Sequence, residues 1–133
     1  MFTDREIELV RSTWAAASAD PDAAATLFYG KLFEAAPGVK PLFSSDMKEQ
    51  GRKLMQMIGV AVNNMHRIEE IVPALIELGE RHDDYGAEPG HYPVVGSVLL
   101  DTLSTALGDE FSDEAALAWG RTYDALSSVM LSR

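Results

Sequence analysis

The stretch Glu69-Glu70-Ile71-Val72-Pro73-Ala74-Leu75-Ile76-Glu77-Leu78-Gly79-Glu80-Arg81-His82 decides how the whole chain is read. Ile71, Leu75, Leu78 and His82 recur at steps of 4, 3 and 4, which is one face of an α-helix. The spacing predicts a helix over about 69–82, with Gly86 as its stop. His82 continues the apolar stripe and is therefore carried wherever Leu75 and Leu78 point. Periodicity alone leaves two readings open: a core histidine satisfied by protein partners, toward which it leans, or a ligand. A buried neutral imidazole needs a partner on each ring nitrogen, and a metal would be one.

Outward from that stretch the helical signal continues in both directions. Thr3 with Glu6 forms a capping box ahead of Ile7, Val10 and Trp14. Asp20 before Pro21 reads as an N-cap with proline at the first helical position, opening a helix that carries Leu27, Phe28, Tyr29, Leu32 and Phe33. Pro37 and Pro41 bound a short segment that ends at Phe43. A long helix is expected from about Met47 to Met65, with Leu54, Ile58 and Val62 on one face. After Pro89, a further helix puts Val95, Val98, Leu99, Thr102 and Leu103 on one side. The last starts at the Ser112 cap and presents Trp119, Tyr123, Leu126 and Met130. No segment alternates long enough to read as a strand. The expectation is all-α, with about seven helices whose unequal lengths suit a symmetric four-helix bundle poorly.

Composition excludes several classes of function. The 133 residues match the usual size of one domain, so a single domain over 1–133 is expected. Without cysteine, disulfide staples, thiolate catalysis and Cys-ligated metal sites drop out. With 11 Lys+Arg against 21 Asp+Glu, the charge of −10 argues against nucleic-acid partners and against anionic membranes. Met1-Phe2 leads directly into Thr3-Asp4-Arg5-Glu6 without the apolar core of a secretory leader, so a cytoplasmic location is expected. Zinc-type histidine pairs, phosphate-cradling glycine loops and nucleophile elbows are missing, so hydrolytic and phosphoryl-transfer chemistry has nothing to rest on. Of the other histidines, His66 reads as a solvated surface residue and His91 as a capping or turn residue. The paired carboxylates Glu69-Glu70 and Asp83-Asp84 are consecutive and point to different sides of a helix.

What remains is a set of aromatic and amide groups alongside His82. In order along the chain stand Leu27-Phe28-Tyr29 with Leu32-Phe33, Pro41-Leu42-Phe43, and Gln50 with Lys53-Leu54. Leu78-Gly79-Glu80-Arg81-His82, His91-Tyr92-Pro93-Val94-Val95-Gly96, Ala118-Trp119-Gly120 and Tyr123 follow. In this order and at these spacings the chain resembles the single-domain bacterial haemoglobins related to the globin half of flavohaemoglobins. The resemblance runs from Glu6 to Met130. It implies a globin fold around one haem b (iron protoporphyrin IX), with His82 as the proximal iron ligand. It further implies Phe43 packed flat on the porphyrin, and Tyr29 and Gln50 as the hydrogen-bonding pair on the gas side. Leu54 would wall the gas site, Tyr92 would lie near His82, and Leu78 and Val95 would line the cofactor. Lys53 and Arg81 would meet the propionates at the rim.

The implied activity is reversible binding of O₂, with NO and CO as further ligands. O₂ takes on partial negative charge at ferrous haem, so a buried donor favours it over CO; each such hydrogen bond contributes ~1.5–3 kcal/mol. The alternative is an NO dioxygenase that draws electrons from an external reductase. A sensor would need an output domain, and a haem-free interaction module would leave His82 structural. A monomer or weak homodimer is expected. The chain departs from the pattern in two respects. Relatives often carry a glutamate late in the last helix, where Ser127, Ser128, Leu131 and Ser132 offer no carboxylate. A weaker electronic push on iron is therefore expected, and an iron–histidine stretching frequency as high as in glutamate-bearing relatives would contradict it. No flavin or nicotinamide module is read in these residues either, so an outside electron donor is expected for any turnover.

Overall fold

Local chemistry starts four of the α-helices at side-chain caps. Thr3 Oγ1 accepts from the Glu6 N–H at 3.1 Å while the Glu6 carboxylate accepts from the Thr3 N–H at 2.8 Å, and α1 runs Asp4–Ala17. Asp20 caps α2, Pro21–Ala35, by accepting from the Ala23 N–H at 3.2 Å. Asp46 caps α3, Met47–Asn63, and Ser112 caps α6, Asp113–Leu131. Between them lie α4, Val72–Asp84, and α5, His91–Leu107. These bounds come from a computed structural model that describes residues 2–43 and 46–132. Met1 and Arg133, the ends of the single-domain range, lie outside the described residues.

With the proline-bounded turn at Pro37–Leu42, these are the seven expected helical pieces. Two further 3₁₀ turns, Met65–Glu70 and Gly108–Glu110, lay beyond the sequence reading, and no strand forms among the described residues. Two boundaries also move. The helix expected from residue 69 begins at Val72, with Pro73 in its first turn, where a missing N–H costs no helical hydrogen bond. Arg67 breaks the preceding turn at φ −148°, ψ 54°. The long helix stops at Asn63 rather than Met65. There Arg11 of α1 donates from Nε to the Val62 carbonyl at 3.3 Å and from Nη2 to the Asn63 carbonyl at 3.0 Å, closing the helix end. Gly86, at φ +96°, does terminate α4.

Helix α2 packs on α3 and α5, α1 on α6, and α4 on α6. Trp119 is buried at the α1–α6 contact, where its Nε1–H donates to Thr13 Oγ1 at 2.8 Å. That bond meets the requirement of a buried indole for a partner.

The apolar interior is divided. A large cluster built on Val10, Phe28, Tyr29, Leu32, Leu103 and Trp119 fills one side. A small one of Leu75, Tyr92 and Met130, with Ile71, Leu78, Leu126 and Val129 against it, fills the other.

Candidate functional site

Side chains from both clusters line one cavity of about 590 Å³. Protein interiors are close-packed, and voids larger than a water are few. This space opens to the surface at one mouth and is far larger than the packing defects of a close-packed interior. An ordinary core would have collapsed into it. The cavity therefore reads as the seat of a large, mostly apolar ligand, within the ~300–1,000 Å³ usual for such sites.

On the large-cluster side stands Tyr29, buried to 7 % exposure. Its ring is boxed by Phe28 (centroids 5.2 Å, edge-on), Phe33 (6.0 Å, stacked) and Phe43 (5.4 Å, edge-on). Burial pushes the phenol up to about 12, and a hydrogen bond with the Gln50 side chain pulls the other way. Tyr29 thus keeps its proton at any neutral pH and remains a donor. Gln50 reaches it because α3 lies close against α2: a Cβ added at Gly51 would stand 2.9 Å from the Ala25 Cβ. Leu54, one turn after Gln50, lines the same wall.

On the small-cluster side, the Nδ1 of His82 lies 2.8 Å from the Leu78 carbonyl. A carbonyl can only accept, so Nδ1 carries the proton and Nε2 keeps its lone pair. The histidine left open by periodicity is half-satisfied by its own helix, and its second nitrogen has the chemistry of a metal ligand. Tyr92 sits beside it, the two rings 6.2 Å apart. The Tyr92 hydroxyl is buried without a hydrogen-bond partner, and burial raises its pKa. No carboxylate among the described lining residues faces it, and the nearby turn of α6 contributes Ser127 instead. Tyr123 holds the backbone of this region, donating to the Tyr92 carbonyl at 2.6 Å; its own phenol is raised by burial first, then by the neighbouring Tyr92 and Asp124.

The exposed members of the lining mark the mouth, between α3 (Lys53, Gln56, Val60) and the end of α4 (Arg81, Tyr85). Arg81 makes a loose pair with Glu77, Nη2 to Oε1 3.8 Å. In a chain with nearly twice as many acids as bases, the described lining holds Lys53 and Arg81 and not one Asp or Glu. Such a rim accepts an anionic group.

All ten residues singled out in the sequence, Tyr29, Phe43, Gln50, Lys53, Leu54, Leu78, Arg81, His82, Tyr92 and Val95, border this one cavity. His66 lies on the surface, as expected, with Arg11 Nη2 donating to its Nδ1 at 3.0 Å. His91 does serve its turn, since its Nδ1 accepts from the Glu88 N–H at 3.0 Å, but it also lines the cavity, which the sequence did not signal. Met57 and Val60 are further lining residues without a sequence signal beyond helical spacing.

Known proteins share this fold. The family model described as Globin matches residues 26–130. The flavohemoprotein of Bacillus subtilis is 25% identical over 134 residues, covering 98% of this chain and 34% of that protein. The flavohemoprotein of Oceanobacillus iheyensis is 27% identical over 135 residues, covering 99% and 33%. The chain thus spans about a third of the length of the curated relatives it matches. Among solved structures, an engineered carbene transferase from Rhodothermus marinus, a protein assigned as a nitric oxide dioxygenase, superposes with a TM-score of 0.87 over 99% of this chain and 92% of that one. At 23% identity that likeness speaks for the fold alone.

Proposed function

The chain belongs to the globin family, and from that premise we propose that it is a haem protein that binds O₂ reversibly, with His82 as the single protein ligand of the iron. One observation carries the reading: an uncollapsed apolar cavity with an Nε2 lone pair on one wall and a phenol–amide pair on the other. The residues fit haem b, read as iron protoporphyrin IX, on three counts. The interior is apolar where a macrocycle would lie, His82 offers a nitrogen, and the mouth carries Lys53 and Arg81 without carboxylates among the described lining residues, where two propionates would be held. Haem ligated by one imidazole supplies an open coordination position for a diatomic gas.

The chain's own groups then set the selectivity. Tyr29 donates to a gas ligand that carries negative charge, and Gln50 both holds the phenol and adds a second donor. Phe43 and Leu54 keep the pocket dry, which strengthens those bonds and protects the ferrous state. Leu78, Val95 and Tyr92 wall the proximal side. Lys53 and Arg81 anchor the propionates. The Leu78 carbonyl orients His82 and keeps its proton on Nδ1. We read residues 1–133 as one such domain, cytoplasmic in location. The test is the absorption spectrum of the haem-loaded ferrous protein with and without O₂: a Soret band that shifts reversibly is expected. A chain with no Soret band after haem addition refutes the reading.

The solved neighbour described as a nitric oxide dioxygenase motivates a second reading, oxidation of NO by O₂ and one electron to nitrate, with a separate reductase supplying the electron. Mixing the oxygenated protein with NO in a stopped-flow instrument discriminates the two. Fast reaction followed by recovery with cellular reductants supports turnover, and reaction without recovery leaves gas binding alone.

A further inference from the structure

We infer that His91 is a binding residue for the carboxylate end of the cofactor: its ring Nε2–H donates to a haem propionate at the cavity mouth. The inference rests on the haem reading above. His91 opens α5 and is half-buried, and its ring borders the same cavity as His82. The backbone sets the tautomers of these two rings in opposite senses. At His82, Nδ1 faces a carbonyl that can only accept, so the proton sits on Nδ1 and Nε2 is a lone-pair donor to metal. At His91, Nδ1 faces the Glu88 N–H, which can only donate, so Nδ1 carries the lone pair and the proton of the neutral ring sits on Nε2. A protonated Nε2 cannot ligate iron, but it is well suited to a carboxylate.

The surroundings agree. The described lining contains no Asp or Glu that would compete for that proton, and its two cations, Lys53 and Arg81, lie at the mouth. Arg81 is loosely paired with Glu77, Nη2 to Oε1 3.8 Å. A hydrogen bond from this ring to a charged oxygen makes His91 the third polar contact of the cofactor's anionic edge. Because the Glu88 bond holds Nδ1, the ring is already oriented before the cofactor arrives.

The experiment uses the haem-loaded protein and follows haem loss to an excess of a haem-scavenging apoprotein. His91→Leu should release haem about tenfold faster than the wild type, the scale of one lost charge-assisted hydrogen bond. His91→Gln, which retains an N–H donor, should stay within about threefold. Repeating the series with haem whose propionates are methyl-esterified should shrink the His91→Leu effect to about twofold or less, because the charged acceptor is gone. An equal acceleration with free and esterified haem, or none in His91→Leu, overturns the assignment and leaves His91 a turn residue. Folding of each variant is read separately by circular dichroism of the apoprotein. A wild-type chain that takes up neither haem overturns the haem reading itself, a distinct outcome.

Discussion

Replacing Tyr29 with Phe removes one oxygen atom from the centre of the gas-side wall. The ring itself should not move, since Phe28, Phe33 and Phe43 hold it at centroid distances of 5.2, 6.0 and 5.4 Å. What is lost is one donor whose proton is secure, because burial holds the phenol at about 12. A hydrogen bond to a partly charged acceptor contributes ~1.5–3 kcal/mol, and ~1.4 kcal/mol is a factor of ten in rate. With Gln50 still present as a second donor, O₂ dissociation should accelerate toward the lower end of that range, about tenfold to thirtyfold. CO carries little charge to stabilise, so its dissociation should change by no more than about threefold. The assay is stopped-flow displacement of O₂ by CO and of CO by NO, on wild type and variant, repeated between pH 6 and 9. The ratio of variant to wild-type O₂ rates should be constant across that window, since the phenol does not titrate in it. Equal changes for both gases, or an unchanged O₂ rate, would refute contact between Tyr29 and the ligand.

Further expectations concern the proximal side. A Cβ at Gly96 would stand 2.7 Å from Cδ2 and Cε2 of Tyr123, so Gly96→Ala must push that ring off the Tyr92 carbonyl and should cost about 1–3 kcal/mol, read as a lowered Tm. Tyr92→Phe deletes a buried hydroxyl that has no partner, so apoprotein stability should hold or rise by about 1 kcal/mol; a loss larger than that would show the hydroxyl to be bonded. Tyr29, Tyr92 and Tyr123 all titrate above the ordinary phenol value. Above about pH 10 the unfolded chain therefore releases protons that the folded chain retains. Stability should be flat below that pH and fall as the pH rises toward about 12, measured by urea unfolding at pH 8 to 11; a flat profile throughout would contradict the burial of these rings.

Much of the fold was legible because helices are written locally. The caps at Thr3, Asp20 and Ser112 act over three residues, and the stripe at Ile71, Leu75, Leu78 and His82 over three or four. Even the tautomer of His82 is a local matter, since its partner is the carbonyl four residues back. The end of α3 moved because of a contact outside the helix: Arg11 closes it from 52 residues away in the chain, which no pattern in α3 itself records. The ten site residues were named by resemblance and by stripe, but their convergence on one cavity needed the helix crossings.

The sequence by itself determined the all-α architecture and the capped helix starts after Thr3, Asp20 and Ser112, because these depend on neighbours within one helical turn. Only the tertiary structure decided that the apolar stripes fail to meet and leave about 590 Å³ between two separate clusters. It also decided that an acid-rich chain keeps Asp and Glu out of the described lining of that space. His91 joined the site by the same route. A void and a sorted set of charges are relations between elements far apart in sequence, set by how helices cross, and no local periodicity carries them.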